Sequence, residues 1–195
     1  YLSLVVCFLS LTLALLGENL LAVITSNPDY LASFAVIPII LLSIIFGMLK
    51  DISINGLSIV LKTKIIGIMV VIIAIVNILL NYLLIPIYGS IGAGLASLLS
   101  QMLFFIVIYK YAQKFYYIPY ELTKVFKIIM IAVAIYFISN LIVTLNISGS
   151  IYIKLSLIIS YPIALYYLNV FEKIEIDRTK KIIQKKWMII SHRFK

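Results

Sequence analysis

Six apolar stretches, at residues 2 to 24, 31 to 49, 65 to 86, 91 to 109, 128 to 147 and 151 to 170, divide this chain of 195 residues. Each comes close to the roughly 20 residues that an α-helix needs to cross a hydrocarbon core of about 30 Å. In lipid every backbone N–H and C=O must be satisfied within the element itself, which a helix does. The hydrophobic fraction is 64% and the mean hydropathy +1.19, more than a soluble domain can bury when soluble chains are about half apolar. The expectation is an all-α integral membrane protein: a transmembrane bundle of six helices over 1–170, followed by a basic amphipathic tail over 171–195.

The basic residues set the orientation, because Lys and Arg in short loops are retained on the cytoplasmic side. The 50–64 connection carries Lys50, Lys62 and Lys64, and the 110–127 connection carries Lys110, Lys114, Lys124 and Lys127. The tail carries Lys173, Arg178, Lys180, Lys181, Lys185, Lys186, Arg193 and Lys195. The opposite loops, 25–30, 87–90 and 148–150, hold no base. Lys154 alone lies near that face, where a long side chain can snorkel. This pattern predicts a multi-pass protein of the cytoplasmic membrane with both ends of the chain cytoplasmic.

The net charge of +9 is spread along membrane-flanking loops, so anionic lipid is the expected partner and nucleic acid is not. Tyr111, Phe115, Tyr116, Tyr117 and Tyr120 surround Lys110 and Lys114, a mixture suited to the headgroup zone. In the tail, Trp187 and several isoleucines alternate with the bases, as in a segment lying along the inner leaflet, and His192 reads as a solvated surface residue. Tyr1 is not an initiator Met and opens directly into a span, so a fragment lacking its N-terminal part is expected.

Polar residues inside the spans mark the candidate site, because lipid penalises them. Asn77 and Asn81, four apart on one helical face, must look into protein or a wet cavity. Asn77 falls near mid-membrane and either faces cargo or ties two helices together, a role worth about 1 kcal/mol. Pro86 and Gly89 are expected to end this helix and start the next. Gly89, Ala93 and Ser97 then repeat a small residue every fourth position, which allows two backbones to approach. Ser97, Ser100 and Gln101 either complete a polar patch with the two Asn residues or knit the hairpin.

The second span can continue helically through Lys50, Asp51 and Asn55 to Leu61, with Asp51, Asn55 and Ser58 on one face. These residues either line a path or form a solvated inner extension. Glu18, beside Asn19 near the outer end of the first span, belongs to the interface or to a cavity. Glu18 and Asp51 fall at opposite membrane faces and cannot form a catalytic carboxylate pair. With a lone Cys7, read as a small apolar residue, and a single His in the tail, no catalytic group, metal site or cofactor is expected.

The run Asn77 to Gln101, the segment Pro-Asp-Tyr-Leu-Ala-Ser-Phe-Ala-Val-Ile-Pro at 28–38, and Gly56-Leu57 through Leu61-Lys62-Thr63-Lys64 together resemble the bacterial and archaeal polysaccharide flippases. These are O-antigen type transporters of the multidrug/oligosaccharidyl-lipid/polysaccharide exporter superfamily. The likeness spans roughly residues 10–120; beyond it, the last two helices are similar only in hydropathy. It implies most of the C-terminal lobe of a MATE-like flippase fold plus two extra C-terminal helices, facing a matching lobe.

The resemblance implies a non-enzymatic transporter that flips a polyprenyl-diphosphate-linked oligosaccharide for O-antigen, lipopolysaccharide or capsule synthesis. A polysaccharide polymerase and glycosyltransferases would be further partners. On this reading Asn77 and Asn81 hydrogen-bond sugar hydroxyls or water, and Lys50 attracts the diphosphate, with Asp51, Asn55, Ser97, Gln101 and Glu18 as further path candidates. A drug/cation antiporter, a peptidoglycan lipid-precursor flippase and a non-transporting scaffold of polysaccharide assembly are the alternatives.

Overall fold

The structure, a computed structural model, describes residues 2–24, 33–144 and 150–168. All regular elements among them are helical. They are α1 (Leu2–Ile24), a short 3-10 helix (Ser33–Val36), α2 (Ile37–Ile59), α3 (Thr63–Tyr88), α4 (Ser90–Phe115), α5 (Leu122–Thr144) and α6 (Ser150–Tyr167). The predicted tail, 171–195 with His192, lies outside the described residues.

Five helices, α1 to α5, are long and apolar enough to cross a membrane, as in a multi-pass membrane protein. Of the sixth, the apolar part within the described residues runs Ile151–Tyr167, about 26 Å at 1.5 Å per residue. α2 begins later than the apolar stretch at 31, because the 3-10 helix leads into it with Pro38 in the first turn, where a missing N–H costs nothing. It then runs unbroken through Lys50, Asp51 and Gly56. Leu61, at φ 55, closes it: the Leu61 N–H donates to Ser58 O at 3.1 Å and the Lys62 N–H to Leu57 O at 3.0 Å, which satisfies carbonyls the helix end leaves open.

α3 passes through Pro86 to Tyr88, so the proline does not end it; Gly89 alone makes the turn, at φ 57 and ψ −131. Pro86 gives up the bond its N–H would make to the Tyr82 carbonyl, a loss that membrane helices tolerate where neighbouring groups or local adjustment satisfy the freed carbonyl. The close approach between α3 and α4 also differs in register from the expected Gly89, Ala93, Ser97 stripe. The buried ridge of α4 is Gly92, Ala96, Ser100, Phe104, Ile108 and Ala112, four residues apart throughout. A methyl group at Gly92 would collide with the Leu84 carbonyl on α3. Gly94 is pressed against the entry to α2, where a methyl would meet Val36 Cγ2 at 2.9 Å. Ala93 and Ser97 are half-buried.

Two apolar clusters hold the bundle. One joins α1, α2, α4, α5 and α6 through Cys7, Leu11, Leu15, Phe46, Phe105, Ile129, Ile135, Tyr161 and Leu165. The other joins α2, α3 and α4 through Leu57, Ile73, Phe104, Ile108 and Ala112. α3 buries only Ile73 and leaves Val71, Ile78 and Leu83 exposed, apolar surface that hydrocarbon can cover at little cost.

The connections α2–α3 and α4–α5 share one end of the bundle. The Tyr120 hydroxyl donates to Ile52 O at 3.2 Å, Ile118 Cδ1 lies 3.4 Å from where a Gly56 methyl would stand, and the Lys62 ammonium sits 5.4 Å from the Phe115 ring centre. Gln113 stiffens the second connection: its Nε2 donates to Ile118 O at 2.7 Å, and the Ile118 N–H donates back to Gln113 Oε1 at 3.3 Å. Lys62, Lys64, Lys110, Lys114, Lys124 and Lys127 thus share one end of the bundle, while Lys154, near the start of α6, belongs to the other.

Candidate functional site

A groove of about 570 Å³ opens on the side of α2, towards the basic end. Its polar wall is a single ridge of α2, Ser43, Gly47, Asp51 and Asn55, spaced four apart so that all four stack on one face. Gln101 of α4 faces this ridge, and Lys50, Ile44, Met48, Ile52 and Leu2 complete the lining.

The electrostatics of the groove are nearly neutral. Lys50 Nζ lies 2.9 Å from Asp51 Oδ1, with the lysine side chain 17% and the aspartate 68% exposed. The same ammonium sits 5.2 Å from the Phe104 ring centre, whose face attracts cations. Gln101 Oε1 is buried and accepts no hydrogen bond from the described residues. It sits against Gly47, where a methyl would lie 3.7 Å from it. The groove therefore offers hydroxyl, carboxamide and carboxylate groups, with its one ammonium already paired.

Of the eight candidates from the sequence, the structure brings Lys50, Asp51, Asn55 and Gln101 together in this groove. Asn77 and Asn81 lie elsewhere, within the α3–α4 hairpin. Asn77 Nδ2 donates to Ser100 Oγ at 3.1 Å and Ala96 O at 3.3 Å. Asn81 Nδ2 donates to Asn77 O at 2.9 Å and Asn77 Oδ1 at 3.0 Å. The Asn77 amide thus ties α3 to α4, and Asn81 braces it from within α3. Ser97 is half-buried on α4, and Ser58, exposed, returns its hydroxyl to Ile54 O at 3.1 Å.

Glu18 belongs to a separate cluster at the other end. Lys154 Nζ donates to Asn19 Oδ1 at 2.9 Å and to Glu18 Oε2 at 3.4 Å. Tyr136, Ser139 and Asn140 of α5 close a small pocket of about 50 Å³ beside the pair. Lys154 is only 7% exposed, so it turns into the bundle instead of snorkelling to the surface. Glu18 leaves 58% of its side chain exposed and also lines this small pocket.

Sequence reasoning missed Ser43 and Gly47. The signal was present as a small or polar residue every fourth position, Ser43, Gly47, Asp51 and Asn55, in an otherwise apolar helix. Comparison of the chain with protein-family models, curated proteins and solved structures finds no match.

Proposed function

We propose that this chain forms most of one lobe of a flippase-type transporter in the cytoplasmic membrane, with six spans and its basic connectors inside. Its cargo would be a polyprenyl-diphosphate-linked oligosaccharide for surface polysaccharide. One observation carries the reading: a polar ridge on α2 faces Gln101 across an open groove on the flank of the bundle. Polar groups at membrane depth face protein or water, not acyl chains, and a half-channel awaiting a second lobe meets that requirement.

The same groove adjusts the roles assigned from sequence. Ser43, Asn55 and Gln101 are suited to the sugar hydroxyls, whereas Lys50, engaged by Asp51, would meet a diphosphate only by exchanging one anion for another. Asn77, braced by Asn81, supports the path by holding α3 on α4. Moving two negative charges outward across an inside-negative potential of 100 mV would release about 4.6 kcal/mol, enough to assist the step.

The test uses the complete protein in vesicles loaded with a fluorescent polyprenyl-diphosphate oligosaccharide. Gly47→Leu, which fills the groove, and Gln101→Leu should each slow translocation at unchanged protein abundance. Translocation at the parental rate in both would remove the groove from the path. A parental protein that moves no cargo would leave the scaffold alternative in place. Asp51 also favours one rival specifically, since an acid in the groove is what a cation antiporter requires; efflux of an organic cation that Asp51→Asn abolishes would establish that reading instead.

A further inference from the structure

α6 carries a lysine on the wrong side for a lipid anchor. Lys154, Ile158, Tyr161 and Leu165 are all buried and follow one another at helical spacing, so they form the stripe by which α6 packs on the bundle. The Tyr161 hydroxyl donates to Ile128 O at 3.4 Å on that side, and its ring stacks on Phe8 of α1 at 6.1 Å between centres. Lys154 extends the same stripe to Asn19 and Glu18 of α1, more than 130 positions earlier in the chain.

Two features make α6 a poor membrane helix by itself. Within the described residues its apolar part is Ile151–Tyr167, at the short end of the roughly 17 to 25 residues that cross a bilayer. Its inward face also presents an ammonium that lipid disfavours. Both are offset only once α1 stands beside it, where a carboxylate and a carboxamide oxygen receive the ammonium and Phe8 receives Tyr161. Pro162 weakens the helix further by removing a backbone hydrogen bond.

We infer that α6 is a conditional span, held across the membrane by the Glu18–Asn19–Lys154 contact with α1. The last helix therefore adopts its place through a partner made at the beginning of the chain. This inference does not depend on the transport reading.

The test follows the side of the membrane reached by the end of α6. In the full chain carrying Cys7→Ala, a single thiol is introduced by Leu168→Cys and labelled in sealed vesicles with a membrane-impermeant maleimide. A companion chain carrying Lys64→Cys reports the basic side. The parental α6 should place Leu168→Cys on the same side as Lys64→Cys. Lys154→Glu, which sets two acids against each other, should shift label to the opposite side by roughly tenfold. The exchange Glu18→Lys with Lys154→Glu should restore the parental pattern.

If the single variant is degraded, recovery of abundance in the exchanged pair supports the contact equally. Unchanged labelling in Lys154→Glu, or an exchanged pair as damaged as the single variant, overturns the inference.

Discussion

Asn77 of α3 donates to the hydroxyl of Ser100 on α4 across 3.1 Å, and Asn81 donates back to Asn77. Three side chains thus form one short chain of hydrogen bonds where two apolar helices meet. Replacing Asn77 with Leu removes both interhelical hydrogen bonds, and should destabilise the hairpin by about 1 kcal/mol, in keeping with other interhelical hydrogen bonds in membranes. Reversible unfolding in mixed micelles measures this, and Ser100→Ala should lose less, because Ala96 O remains as an acceptor. A loss of activity in Asn77→Leu should then scale with the folded fraction.

Gly92 and Gly89 are constrained for different reasons, and their variants should separate. Gly92 lies against the Leu84 carbonyl of α3, so Gly92→Val forces the helices apart and should cost about 1–3 kcal/mol as an overpacked contact. Gly89 has open space around it but sits at φ 57, ψ −131, a conformation that L-residues rarely adopt. Gly89→Ala should also cost about 1–3 kcal/mol, as backbone strain. A disulfide trap between α3 and α4 distinguishes them: helix separation should widen in the first and stay parental in the second.

Tyr120 pins the α4–α5 connection to α2 through its bond to Ile52 O. Burial pushes its phenol above the ordinary range, and the neighbouring Tyr109 adds to the effect. A raised folded-state value means that the neutral phenol is favoured by folding. Its contribution is therefore complete below the unfolded value of about 10 and is lost as pH rises through the folded value. Tyr120→Phe should lower stability by about 1 kcal/mol at neutral pH. The difference between parental and variant protein should shrink above pH about 10, which unfolding in micelles across that range would record.

The order of the helices, the side on which the bases collect and the polar positions worth inspecting were legible in the chain. Each follows from a local quantity: a run of apolar residues matched to the bilayer, a charge in a connector, an amide within a greasy helix. Even the groove's ridge, Ser43, Gly47, Asp51 and Asn55, is written in helical spacing, although only Asp51 and Asn55 were recognised as part of it.

Facing relationships needed three dimensions. Whether Asn77 looked at a cavity or at Ser100 depended on the rotation of α4 about its axis, which placed Gly92, Ala96 and Ser100 at the interface in preference to Gly89, Ala93 and Ser97. Whether Lys154 reached outward or inward depended on α1, distant in sequence but adjacent in the bundle. Apolar length alone specifies that a helix enters lipid, since hydrocarbon solvates every apolar face alike. Which face meets protein is chosen by steric fit and by the pairing of a few polar groups, and both are properties of neighbours that only the folded chain supplies.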